Sequence, residues 1–456
     1  MTKLFRTKAV STTQESKFKR CLTSVDLTLL GVGAIIGAGV FVLTGIAAAT
    51  KAGPAIMICY LLAGMACAFS ALSYAELATC IGGCGSAYGY AYAGFGELVA
   101  WIIGWDLLME YGIACSAVAI GWSAYIDNAL AAIGVHIPHA LSISPFQGGI
   151  VDLPAMIIIL ILTALLAMGI RHSARFNKIM VLIKVAAIAL FISVAIPHVN
   201  LANWHPFAPF GWPGIASGAA VIFFAYIGFD AVSTAAEECI NPQRDLPRGI
   251  LASLAICTIV YIVVAGLLTA ITSYKNLNIS SPVAQVLLHL GYNWAAGIIG
   301  LGAIAGLTTV ILVMFYGLTR IIFAMSRDGL LPPVFAQVHP KTQTPVKVIL
   351  VAGTIISLIA GFVPIENVAE LVNIGTLAAF CLVCAGVAFM RFTKPNLPRP
   401  FKTPWSPLVP ILGIVSCFYL MLHLAALTWE GFAIWTFIGL IIYFMYSRRH
   451  SALAKD

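Results

Sequence analysis

Apolar residues fill this chain in runs of about twenty, each closed by a short connection carrying polar, glycine or proline residues. A run of that length is what an α-helix needs to cross the hydrocarbon core of a bilayer. Twelve runs can be drawn, at approximately 25–50, 54–80, 96–126, 152–170, 178–197, 212–238, 248–272, 293–325, 346–363, 368–391, 408–428 and 431–447. The expected fold class is an all-α polytopic membrane protein of twelve transmembrane helices. Composition agrees, since 61% of the 456 residues are hydrophobic, 9% are charged and the mean hydropathy is +0.99. A soluble domain has more polar surface than that.

Charge sets the expected orientation. With a cytoplasmic N-terminus, the inside segments take in Lys3 to Arg20, Arg171 to Lys178, Arg244 with Arg248, and Arg320 to Lys347. They also take in Arg391 to Lys402 and the group Arg448, Arg449 and Lys455. Of the 25 Lys and Arg, only Lys51 and Lys275 fall outside and Lys184 within the membrane. The loops 127–150 and 198–211 hold no Lys or Arg. This bias follows the positive-inside rule and places both termini in the cytoplasm of a plasma (cell inner) membrane. The net charge of +8 is then topology, and no nucleic-acid partner is implied. The basic stretch to Arg20 leads into a full-length span, unlike a signal peptide. Most of the eleven cysteines lie inside spans, and Cys381-Leu-Val-Cys384 reads as two buried thiols in an apolar helix.

Two runs are interrupted in a way that lipid-facing helices avoid. The first contains Gly31-Val-Gly-Ala-Ile-Ile-Gly-Ala-Gly-Val-Phe41, and the sixth contains Phe223-Phe-Ala-Tyr-Ile-Gly-Phe-Asp230. Each opens a group of five spans, at 23–200 and 211–391, and an odd number of spans gives the groups opposite orientations. Paired glycine-interrupted helices in two inverted halves point to a transporter's binding site. Spans eleven and twelve, at 408–447, fall outside the repeat, and 1–22 and 448–456 form the terminal tails. Close helix packing also accounts for Gly33-Ala-Ile-Ile-Gly37, yet leaves the second glycine-bearing helix at the matching place unexplained. The spacing from Gly33 to Gly37 is one residue too long for a dinucleotide fingerprint.

A broken helix frees backbone groups. Amides at Gly37, Ala38 and Gly39 are open to a carboxylate, because their side chains let a ligand approach. Carbonyls near Ile35 and Ile36, and opposite them at Phe224, Ala225 and Ile227, are left for an ammonium. One carboxylate and one ammonium a few ångströms apart describe an α-amino acid. Lys184 adds a third signal, since it stands in the middle of Ile179-Met-Val-Leu-Ile-Lys-Val-Ala-Ala-Ile-Ala-Leu-Phe191. A cation at bilayer depth costs roughly 2.5–3.5 kcal/mol on insertion scales and calls for a partner or a role.

These segments, with Glu-Glu-Cys-Ile-Asn-Pro-Gln-Arg-Asp-Leu-Pro (237–247) and Ala-Met-Ser-Arg-Asp-Gly-Leu-Leu-Pro (324–332), resemble the amino acid–polyamine–organocation superfamily. The likeness is greatest to its cationic amino acid transporter group and bacterial relatives, and runs from about residue 20 to the end. It implies a leucine-transporter-type fold of two inverted five-helix repeats plus two C-terminal helices. It also implies that Gly37, Ala38 and Gly39 face a substrate carboxylate, and that Ile35, Phe224, Ala225 and Ile227 face the amine. Phe229 would be the aromatic lid on the outer side, and Met314 would stand beside the ligand. Lys184 would replace the sodium of sodium-coupled relatives, between helices one, five and eight. The twelve runs depart from the fourteen spans of the animal members.

Other polar residues at depth stay open to two readings. Glu110 lines the side-chain pocket and favours cationic substrates or moves protons, or it bonds to a neighbouring helix. Asp106, four residues earlier on the same helix face, reads as structural or as part of an inner gate. Asp230 reads as a capping or packing residue rather than a substrate contact. Met314 walls the pocket or fills core. Glu76, Glu237 and Glu238 are expected to pair with inside basic residues. The nine histidines show no metal-ligand spacing, and no hydrolase or nucleotide motif appears.

The expected function is secondary active transport of cationic or small neutral L-amino acids by alternating access, with a proton as the coupling ion and no cofactor. Desolvation disfavours an ammonium, so a buried Lys184 is able to switch between charged and neutral forms. Charged, it would hold helices one, five and eight through carbonyls near Gly31 and Val32. An amino acid exchanger of the same fold is the alternative, and a passive channel or a membrane enzyme the rivals from other classes. The expected partners are the substrate and the bilayer; a small single-span accessory protein is left open.

Overall fold

The structure, a computed structural model, describes residues 6–8, 20–132, 134–279, 281–363 and 369–454. Lys3, Lys17, Lys19, Lys455 and the side chain of Arg171 lie outside the described residues. Among those described the architecture is helical, and the extended contacts are two isolated bridges, Leu22 with Cys239 and Ser142 with Asp152.

The principal helices are α1 (Ser24–Ile35), α2 (Ile56–Ile81), α3 (Glu97–Ala132), α4 (Leu153–Ala167), α5 (Ile170–Ala195) and α6 (Gly211–Ile222). They continue as α7 (Pro242–Ile271), α8 (Asn293–Arg327), α9 (Val346–Phe362), α10 (Ala369–Thr393), α11 (Leu408–Met421) and α12 (Ala426–Ile442). α1 opens on a capping box, in which Thr23 Oγ1 accepts the amide of Asp26 and the Asp26 carboxylate accepts the amide of Thr23. That satisfies two donors a helix start leaves bare.

Eight segments are long and apolar enough to cross a membrane, against twelve runs in the sequence. The difference has two sources. Ser24–Ile81 counts as one segment of 58 residues although it takes in the first two runs. The helices α4, α9 and α11, of 15, 17 and 14 residues, are apolar but short. Leu182, Ile355, Val415 and Phe437, on α5, α9, α11 and α12, stand exposed. Such a surface is a liability in water and ordinary in lipid.

The helices pack in pairs. α2 lies on α7, α3 on α8 and α4 on α9; α1 lies on α7 while α6 lies on α2; α5 lies on α8 while α10 lies on α3. α11 packs on α10 and α2, and α12 on α3 and α10. The chain that follows α1 and the chain that follows α6 meet in the interior, against α3 and α8.

Candidate functional site

α1 stops at Ile36, whose backbone is extended, and helix resumes at Gly39–Leu43 and runs on to Ala52. After α6 the chain tightens at Phe223–Tyr226, breaks at Ile227 and Gly228, and re-forms as a 3-10 helix over Asp230–Glu238. Gly228 has φ +117, and a Cβ there would lie 2.7 Å from the Cβ of Ala34. Only glycine meets both demands. The two breaks face one another. A Cβ on Gly39 would lie 2.2 Å from the Cβ of Ala225, so backbone approaches side chain here because Gly39 has none.

A small cavity opens at this junction. Of the residues expected at the substrate, Ile35, Ala38, Gly39, Phe224, Ile227 and Met314 line it. Ala34, Ala114, Val118 and Val310 complete the wall. The sequence offered no reason to select those four, which are ordinary apolar residues in apolar helices. The lining carries no charged side chain, and the space open to water is about 20 Å³, enough for a single water molecule. Gly37 is walled off by Val310, whose Cγ2 stands 2.5 Å from where a Cβ would be. Ala225 presses on Gly39 from behind the lining.

Tyrosine hydroxyls gather carbonyls around the two breaks. The Tyr261 hydroxyl, on α7, lies 2.5 Å from Ile35 O and 2.8 Å from Ala225 O. Tyr60 OH donates to Gly39 O at 3.1 Å, and Tyr125 OH to Phe41 O at 3.1 Å. Among the described residues no group outside their own helix takes the amides of Gly37, Ala38 and Gly39. The carbonyls of Ile35 and Ala225, two of those expected to face an ammonium, thus meet at a phenol that sequence reasoning missed.

Lys184 is fully buried on α5. Its Nζ donates to Val32 O at 2.9 Å, Gly33 O at 3.0 Å, Ile36 O at 2.7 Å and Thr309 Oγ1 at 2.9 Å. The Thr309 hydroxyl on α8 sits in turn beside Gly33 O and Gly306 O, at 2.9 and 2.8 Å. One ammonium therefore ties α5, the break in α1 and α8. Val32 was expected as an acceptor; the other carbonyls are Gly33 and Ile36, whereas Gly31 faces Ser253 on α7.

Glu110 is fully buried on α3 one turn from Ala114, beyond the cavity wall. Neither of its carboxylate oxygens has a hydrogen-bond partner among the described residues. Asp106 faces Gly375 on α10, and the Tyr111 hydroxyl donates to Asp230. Phe229 requires a correction. Its ring packs 4.9 Å from Phe380 and 5.8 Å from Tyr74, on the half of the broken helix that carries Glu237 and Glu238. A residue on that half cannot cover the site from the side opposite those glutamates, and Phe224 is the aromatic residue at the cavity.

The acidic residues beyond the break are paired. Arg320 Nη2 and Nε donate to Glu238 Oε1 at 2.6 and 3.0 Å, with Tyr316 on the other oxygen. Arg327 meets Glu237 at 3.0 Å, and Arg391 and Arg399 meet Glu76 at 2.7 and 3.4 Å. These are the partners that the sequence suggested. Cys381 and Cys384 are free thiols in α10; Cys384 is buried as expected, whereas Cys381 is only half-buried.

Helices dressed in apolar side chains, two of them broken face to face around a small buried cavity, define an integral membrane transporter. The family profile for amino acid permeases matches residues 22–446, and the chain belongs to that family. It is 48% identical to the methylthioribose transporter of Bacillus subtilis over the full length of both chains. It is also 48% identical to that organism's branched-chain amino acid permease BcaP, over 99% of each chain. The human cationic amino acid transporter 4 shares 37% identity over 85% of this chain and 63% of its own. These relatives are transporters and not enzymes.

Proposed function

We propose that this protein takes up neutral aliphatic L-amino acids together with a proton, by alternating access, across the plasma membrane of a bacterium. The observation that carries the proton is Lys184, whose ammonium joins three helices through carbonyls at the break in α1 and the Thr309 hydroxyl of α8. Loss of its proton removes the charge and one of its three N–H donors, which weakens the tie and lets the halves move. Moving one charge through 100 mV supplies about 2.3 kcal/mol, roughly fifty-fold accumulation of a zwitterion.

The side-chain preference rests on the uncharged cavity wall and on the 48% identity to a permease named for branched-chain substrates. Glu110, standing outside that wall, gives little support to a cationic side chain. A methylthioribose substrate is the second reading, favoured by an equally similar relative. A thioether sugar offers neither an ammonium for Ile35 and Ala225 nor a carboxylate for Gly37 to Gly39, and so uses the breaks poorly. Ten of the helices support an inverted repeat, because the packing pairs interchange when α1–α5 are exchanged with α6–α10. The paired arginines and glutamates at one end support a cytoplasmic inner gate, closed here.

Reconstituted protein should accumulate L-leucine when an inward proton gradient is imposed and not without it. Accumulation that ignores the gradient but follows internal amino acid would make the protein an exchanger. Passive equilibration with channel-like currents would remove the transporter reading. A binding screen across the twenty amino acids and methylthioribose tests the substrate class.

A further inference from the structure

Two carbonyls from different broken helices converge on one atom. Ile35 O and Ala225 O lie 2.5 and 2.8 Å from the Tyr261 hydroxyl oxygen, both at hydrogen-bond distance. A phenol has one proton to give. At any moment one carbonyl accepts it and the other faces a phenol lone pair. Three oxygens thus share a single hydrogen in a place where Tyr261 is fully buried and a lone acceptor is poorly tolerated. Rotation of the ring offers little relief. Its centroid lies 5.0 Å from that of Tyr60 and 5.4 Å from that of Tyr226. Those two hydroxyls are committed elsewhere, Tyr60 to Gly39 O and Tyr226 to Tyr60 O. The cluster is short of donors, and it stands where Ile35, Gly39 and Phe224 line the cavity.

We propose that Tyr261 is a direct ligand of the substrate's ammonium group and its stand-in between transport cycles. Without ammonium, the phenol proton holds the two broken helices together by whichever carbonyl it serves. An arriving ammonium brings three N–H donors. One goes to the phenol oxygen and one to the carbonyl the phenol is not using. The phenol keeps its proton and stays on the other carbonyl, so no covalent bond is made or broken. The inference rests on the amino acid reading above and adds to it a requirement: the amine must be cationic and unsubstituted enough to donate twice.

Tyr261→Phe removes the hydroxyl and keeps the ring. Hydrogen bonds to charged groups are strong enough that affinity for L-leucine should fall roughly 10- to 100-fold. The maximal uptake rate at saturating leucine should change much less, and the increase in melting temperature that leucine produces should shrink. A tyrosine that only braces the fold would lower the melting temperature equally with and without leucine and leave the affinity unchanged. That result overturns the proposal. If the variant does not fold, ring-fluorinated tyrosine at 261 keeps the shape but makes the oxygen a poorer acceptor. Weaker leucine binding is then expected, and unchanged affinity overturns the assignment. Wild-type protein that fails to bind leucine at all would sink the amino acid reading first, and this inference with it.

Discussion

At Lys184 an ammonium finds four oxygens within 3.0 Å, three of them carbonyls of the interrupted α1. Removing the side chain takes that donor from Ile36 O, while Val32 O keeps the Ile36 amide and Gly33 O the Thr309 hydroxyl, and it unties α5 from α1. Lys184→Ala should therefore lose uptake driven by a proton gradient while retaining leucine exchange between the two sides. A variant with wild-type pH dependence would take the lysine out of the mechanism. Lys184→Arg is no substitute, because a guanidinium holds its proton throughout. Glu110 invites a different measurement. Since it lies outside the cavity wall, Glu110→Gln should leave the ranking of competing side chains unchanged, and a new preference for neutral over cationic competitors would return it to the pocket. Lysine was legible in the sequence because a charge in an apolar run stands out. Tyr261, Tyr60, Ala114 and Val118 were not, because tyrosine and alanine are common in such runs. What sets them apart is the helix face they present to the breaks, and that face is fixed only by tertiary packing.

The interrupted helices show how far a pattern of glycines can be read. Gly33, Gly37 and Gly39 announced a break, and the structure puts it at Ile36 to Ala38. Which glycine serves what purpose was hidden. Gly39 makes room for Ala225, Gly228 holds a left-handed backbone against Ala34, and Gly31 simply clears Ser253. The misplacement of Phe229 has a related origin: it stands four positions after Ala225, and the break between them turns a small sequence offset into a different side of the site. Gly228→Ala should be poorly tolerated, since a non-glycine residue in such a conformation costs on the order of 1–3 kcal/mol before its contact with Ala34 is counted. Thermal unfolding in detergent should show the loss. Gly112→Ala on α3, where the nearest atom to the new Cβ is Leu318 Cδ2 at 4.0 Å, should lose far less; equal losses would mean that the positive φ is not what fixes the break.

Across the molecule, the helix segment beyond the second break is tied to α8 by one buried pair. Arg320 and Glu238 are each about 1% exposed, and Tyr316 completes the carboxylate's bonding. Burying two charges is costly, so such a pair is weak evidence of added stability; removing one partner, however, strands the other and costs about 3–5 kcal/mol. A pair of that kind suits a gate, because it is firm while whole and gives way as a unit. Cys84 reports on it. Its thiol is buried and lies 3.7 Å from Arg320 O, while its amide donates to Glu237. Glu238→Gln should loosen this end, so that Cys84 becomes alkylated several-fold faster by a reagent that cannot cross the membrane. Leucine, by stabilising the closed arrangement around the cavity, should slow that reaction in the wild-type protein. Fragment-ion quantification of the shared peptide separates Cys84 from Cys80, four residues away on the end of α2. Should Cys84 stay protected in a folded Glu238→Gln variant, the pair is a structural bond and the gate must be sought between Arg327 and Glu237.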